Sequence, residues 1–270
     1  AIVAFLVCFV RALLFYYGGI VAMIVMIALA VVIIIKNRAK TNKNNDTDDL
    51  FEQALNTSDQ EVIYETLIQH NKESISELLN ISKDIYNDVV NAFMKEDIKT
   101  LRKASNDCRL AKDKMKQLKR KEIIIMRRLD DKMINKNTWF HLSYNCIEQI
   151  LYALRRICDP CKEYVDNSFT PLDKKYLPEV ENLKDKVLWS LSVADNTILN
   201  SDYKDVEYIM EQITERESAV IEMSHEQMNR IQHDRDNIDL ALLYLNIIQE
   251  SSELVTEMRH LLRSEAKMNE

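Results

Sequence analysis

Residues 97–129, DIKTLRKASNDCRLAKDKMKQLKRKEIIIMRRL, carry Ile98, Leu101, Ala104, Cys108, Ala111, Met115, Leu118, Ile125 and Leu129 in a near-unbroken pattern of three-and-four spacings. That period draws one apolar stripe along a helix of about nine turns at 3.6 residues per turn, and such a stripe has to be buried against other helices. No glycine or proline interrupts the stretch. The basic cluster KQLKRK at 116–121 reads as the solvated face of the same helix.

Helices of the same kind are expected on either side. Upstream, Ser58 or Asp59 offers an N-cap for a helix carrying Ile68, Ile75, Leu78, Ile85, Val89 and Phe93 and ending near Met94. Downstream, a third helix runs from about Thr138 through Ile147, Ile150, Leu151, Leu154 and Ile157 to Val165, with Pro160 expected to kink its later turns. The segment NSFTPLDKKYLP at 167–178 holds the other two prolines and breaks the pattern. Beyond it three more amphipathic stretches follow, through Val180–Ile198, Val206–Met228 and Ile238–Leu262. Asp97-Ile98-Lys99-Thr100-Leu101 returns as Asp205-Val206-Glu207-Tyr208-Ile209, each opening the middle helix of three. The reading is an all-α chain in which a three-helix unit is duplicated, residues 58–168 and then 169–270.

From residue 58 onward there is no glycine. Phosphate-cradling loops, dinucleotide turns and nucleophile elbows need glycine where the backbone approaches a ligand or enters positive φ, so most enzyme architectures are excluded and no catalytic residue is assigned. Setting aside the five basic residues up to Lys43 leaves 31 against 43 acidic ones, a balance of −12 that disfavours nucleic acid as a partner. The five cysteines, Cys8, Cys108, Cys146, Cys158 and Cys161, read as structural thiols. Cys158-Asp159-Pro160-Cys161 matches C-x-x-C but lacks the strand-to-helix context of a redox motif and further zinc ligands nearby in sequence. The histidines, His70, His141, His225, His233 and His260, form no metal-binding spacing; His141, beside Trp139 and Phe140, reads as a packing residue. His225-Glu226 invites comparison with the phosphorylation helix of a sensor kinase, but no glycine-rich ATP domain follows.

Ahead of the helical repeats, residues 18–36, GGIVAMIVMIALAVVIIIK, are uncharged and free of proline from Ile20 to Ile35. With the preceding FYY this is just long enough to cross a bilayer that needs roughly 20 helical residues. Residues 1–17 form a second apolar run, and the pair Gly18-Gly19 reads as the turn between the end of one membrane helix and a complete last one. Arg11 is costly at mid-bilayer and reads as snorkelling from a helix end. Lys36, Arg38, Lys40 and Lys43 follow the run, so residues 37–57 are expected to be a polar cytoplasmic linker and everything after them cytoplasmic. The chain is thus expected to be the C-terminal fragment of a multi-pass membrane protein. The competing view is a single-span anchor carrying a helical interaction scaffold, whose grooves take another protein's helix.

The stretch AFMKEDIKTLRKASNDCRLAKDKMKQL at 92–118 resembles the middle helix of a PhoU repeat. The order of FYYGGIVAMIVMIALAVVIIIKNRAK (15–40), two helix triplets and LYALRRICDPCKEYVDNSFTPL (151–172) is similar to the C-terminal end of PiT-type inorganic phosphate transporters with a fused PhoU-like domain. The resemblance implies phosphate transport with a coupling cation, both handled by a missing N-terminal transporter domain. It also implies a regulatory role for the tail; self-association is left open. Proteins of the PhoU family hold metal clusters through carboxylates four residues apart. At the matching positions stand Asp107 with Ala111, Glu148 with Tyr152, Glu215 with Ala219, and Gln249 with Glu253, so each pair has lost a member and neither metal nor cofactor is expected. Asp84 with Asp88 and Glu181 with Asp185 keep the spacing, on the first helix of each triplet, where they read as solvated faces.

Overall fold

The computed structural model describes residue 52 and residues 56–130, 134–167, 170–172, 174–233 and 237–269. Residues Thr57–Glu270 form one compact unit, and the described residues fold as helices with no strand among them. The helices are α1 (Gln60–Met94), α2 (Ile98–Met126), α3 (Ile134–Asp166), α4 (Leu177–Asn200), α5 (Val206–His233) and α6 (Ile238–Asn269). A 3₁₀ turn, Lys174–Tyr176, leads into α4. The expected membrane helices of residues 1–36 and most of the linker at 37–57 lie outside the described residues. Among the described residues no helix is long and apolar enough to cross a membrane.

Local chemistry sets the helix ends. Asp59 caps α1, its carboxylate accepting the Glu61 N–H at 3.0 Å. Asp97 caps α2 the same way, accepting from Lys99 N at 3.1 Å and Thr100 N at 3.2 Å. In both repeats the aspartate of the recurring motif supplies the first helical acceptor: Leu101 N donates to Asp97 O at 3.1 Å and Ile209 N to Asp205 O at 3.0 Å. The turns before these helices also match. Asp97 N donates to Ala92 O and Glu96 N to Phe93 O; Asp202 N donates to Thr197 O and Ser201 N to Ile198 O. This double closure ends α1 and α4 with a left-handed residue, Glu96 at φ 55° and Ser201 at φ 51°, in a chain that has no glycine to offer there.

Two boundaries differ from the spacing. α2 stops at Met126 rather than Leu129, because Gln60 clamps the end: its amide donates to Arg128 O at 3.2 Å and accepts from Asp130 N at 2.9 Å. α3 begins at Ile134, before Thr138. Pro160 lies inside α3, where its missing N–H leaves the Arg156 carbonyl without its helical donor. Asn246 of α6 supplies one instead, at 3.0 Å.

The helices do not pack as two separate bundles. α1, α3, α6 and α4 each touch the next and close a four-helix ring, with the α3–α6 seam the most extensive in the molecule. Both seams between the chain halves, α1–α4 and α3–α6, belong to that ring. α2 lies in the groove of α1 and α3. α5 packs on α6 but barely meets α4, to which it is tied by Arg230, paired with Glu179 at 2.7 and 2.8 Å, and by the Arg216 guanidinium stacked 3.4 Å from the Trp189 ring. At the ring's centre the fully buried Tyr86 and Ser251 join across it by a hydroxyl–hydroxyl bond of 2.8 Å.

Candidate functional site

The apolar seam of α2 runs Leu101, Ala104, Cys108, Ala111, Met115, and then reaches Glu122, fully buried, before Ile125. A carboxylate out of water has to be matched by donors. His70 and Asn71, from the buried face of α1, meet it at 2.7 Å through Nδ1 and 3.2 Å through Nδ2. From α3, the buried Tyr144 hydroxyl donates to the same carboxylate at 2.8 Å, while Ser74 lies 3.3 Å from His70 Nδ1. Burial and the adjacent Glu122 push the Tyr144 phenol well above its ordinary value, so it stays a donor.

The core stripe of α6 brings a second acid to this layer. Glu265 is fully buried between Leu261, Leu262 and Met268. Neither of its oxygens has a hydrogen-bond partner among the described residues, nor has Asn71 Oδ1. Burial raises its carboxyl to about 7; the Ser143 hydroxyl opposes the rise and the Glu122 charge adds to it. Four helices thus contribute to one polar layer inside an otherwise apolar bundle. None of its members was singled out as a site from sequence, although Glu122 and Glu265 stand where the helical period calls for apolar residues, which is a visible sign.

The positions named for metal binding fall elsewhere. Ala111 is core. Tyr152 serves as a platform for Lys112, whose ammonium lies 4.0 Å from the ring centre and donates to the hydroxyl at 2.5 Å. Asp88 and Asp107 flank Lys103, at 3.1 and 3.9 Å, and Asp84 also raises its ammonium, so one lysine stands among three carboxylates. Glu181 pairs with Lys184. Glu215 and Gln249 are exposed, and Glu148, Ala219 and Glu253 are half-buried. No group of three or more His, Cys, Asp or Glu side chains is arranged to hold a metal ion among the described residues.

The C-x-x-C cysteines lie within one helix, and Cys158 faces Cys108 of α2, Sγ to Sγ 3.4 Å, rather than Cys161. Burial raises the Cys146 and Cys161 thiols, while the Cys108 contact and then burial raise Cys158, so these groups remain protonated and poor nucleophiles. His141 is exposed, with the buried Phe140 ring edge-on at 5.7 Å, and so is not the packing residue expected. Besides these groups, a cavity of about 260 Å³ opens between the 167–178 break, the end of α5 and the start of α6, lined by Tyr176, Tyr244, Arg230, Gln227 and Leu240 among others. Arg230 there is already matched by Glu179. No protein-family model matches the chain, and no curated protein matches it.

Proposed function

We propose that the six-helix unit is a regulatory tail of PhoU-like type, carried at the C-terminus of a multi-pass inorganic phosphate transporter and lying on its cytoplasmic side. The observation that supports this reading is the duplicated turn: two helix triplets whose first-to-second connections share the same double closure and an aspartate whose carbonyl accepts the first helical N–H, behind an apolar run and a basic cluster. The family resemblance of those segments supplies the substrate, phosphate, with a coupling cation. Transport sites belong to the part of the polypeptide ahead of the tail. A tail that contacts one transport state more favourably than another by about 1–3 kcal/mol changes uptake several-fold or more.

The experiment is uptake of radiolabelled phosphate by cells carrying the whole transporter or a version lacking residues 57–270. We expect membrane insertion to persist and the dependence of uptake on external phosphate to change. Identical uptake curves refute the regulatory role, and absence of phosphate uptake by either form refutes the transporter reading.

A membrane-anchored interaction scaffold without transport activity is the second reading. It is favoured by α5, the helix least held by the bundle, which exposes Tyr208, 63 % accessible, and Ile221.

A further inference from the structure

We propose that Glu265 is a proton-operated latch: as a carboxylic acid it holds the last turns of α6 inside the helix ring, and on ionising it releases them. The argument begins with a shortage of donors. Glu122 engages His70 Nδ1, one N–H of Asn71 and the Tyr144 hydroxyl. Both oxygens of Glu265 and Asn71 Oδ1 are buried acceptors without partners among the described residues. Ser143 lies close enough to Glu265 to oppose the rise of its carboxyl, but its one hydroxyl hydrogen is shared with the Trp139 carbonyl at 3.2 Å and makes no formed hydrogen bond to Glu265. A proton on Glu265 removes its charge and adds a donor to a layer that lacks one. Without it, two buried carboxylates face each other in a low-dielectric interior.

The ionisable groups that feel Glu265 are Tyr64 of α1, Glu122 of α2, Tyr144 and Cys146 of α3, and Tyr203 of the α4–α5 connection. Burial, and then the charge of Glu265, push the phenols of Tyr64 and Tyr203 up, so both remain neutral. Two of these tyrosines reach the end of α6 itself. Tyr64 donates to Met268 O at 2.5 Å, and the Tyr203 hydroxyl accepts from Asn269 Nδ2 at 3.5 Å. They are the contacts that opening breaks.

The sign follows from comparing the closed and open forms. Closed, the carboxyl titrates at about 7; open to water it returns to its ordinary 4.5. Between those values the open form is ionised and the closed form is not, so opening becomes about tenfold more favourable for each rise of one pH unit, roughly two orders of magnitude in all. Above the upper value both forms are ionised and the dependence stops.

The test is hydrogen–deuterium exchange of residues 258–269 in the full chain from pH 5 to 9, corrected for intrinsic exchange, for wild type and Glu265→Gln. Wild-type protection is expected to fall about tenfold per pH unit up to about 7 and then level off. Glu265→Gln, neutral and of nearly the same shape, should be flat over that range. Because His70 belongs to the same network, the reading is the difference between the two profiles. A flat wild-type profile overturns the latch, and so does an equal slope in the variant. Loss of the wild-type slope on adding MgCl₂ or CaCl₂ overturns it too, by showing that a cation and not a proton fills the layer.

Discussion

Ser201 and Glu96 sit in the left-handed region, φ 51° and 55°, at the ends of α4 and α1. A side chain with a Cβ costs roughly 1–2 kcal/mol there, whereas glycine adopts the conformation without the clash and gives back about 0.5–1 kcal/mol through its freer unfolded chain. Ser201→Gly and Glu96→Gly are each expected to stabilise the protein by about 0.5–1 kcal/mol, read from urea midpoints at constant slope. A loss of stability in both would show that these turns do not close as described. Such turns were illegible in the sequence beyond residue 58, because glycine, the residue that normally marks them, is absent there. The polar layer was half legible. Glu122 follows Leu118 and precedes Ile125 on the seam, and Glu265 interrupts another between Leu262 and Met268. Both break a period that was otherwise easy to follow. What satisfies Glu122 is His70, 52 residues away on another helix, and no local pattern carries that information.

At the scale of an element, α3 shows how a helix-breaking residue is accommodated. Pro160 deprives the Arg156 carbonyl of its helical donor, and Asn246 of α6 bonds that carbonyl at 3.0 Å while Glu250, one turn on, pairs with the Arg156 side chain at 2.7 Å. The proline therefore creates an acceptor that helps to join the two halves. Asn246→Leu is expected to cost about 0.5–1.5 kcal/mol, the ordinary net worth of one hydrogen bond, in a partly hydrated setting. In a Pro160→Ala background the helix supplies its own N–H, and most of that cost should vanish. Denaturant unfolding of the two single variants and the double variant gives the coupling energy, and additivity within about 0.3 kcal/mol would sink the explanation. Helix existence and phase were readable from period and capping residues, as at Asp59 and Asp97. Helix ends were less so: Gln60 clamps the end of α2 from a distance of 68 residues in the chain.

For the molecule as a whole, duplication in the sequence did not produce two independent cores. Residues 58–168 and 169–270 each supply three helices, but the first and third of each triplet are shared in one ring, and the α3–α6 seam is larger than any contact within a triplet. On the α1–α4 seam, Ser76 and Asn80 both donate to Asp195, at 2.5 and 2.9 Å, and Asp195 is nearly buried. Opening one half would expose that carboxylate's partners and the Tyr86–Ser251 pair together. The two halves should therefore unfold as one cooperative unit. The chain provides a tryptophan in each, Trp139 on α3 and Trp189 on α4, the latter held under Arg216. Trp189→Phe leaves fluorescence reporting on the first half and Trp139→Phe on the second. After correction for each substitution's effect on stability, followed by far-UV circular dichroism of the same samples, the two fluorescence transitions should share one midpoint in urea. Separate midpoints, with circular dichroism unfolding in two steps, would mean that each triplet stands alone and that the ring is only an association of finished bundles.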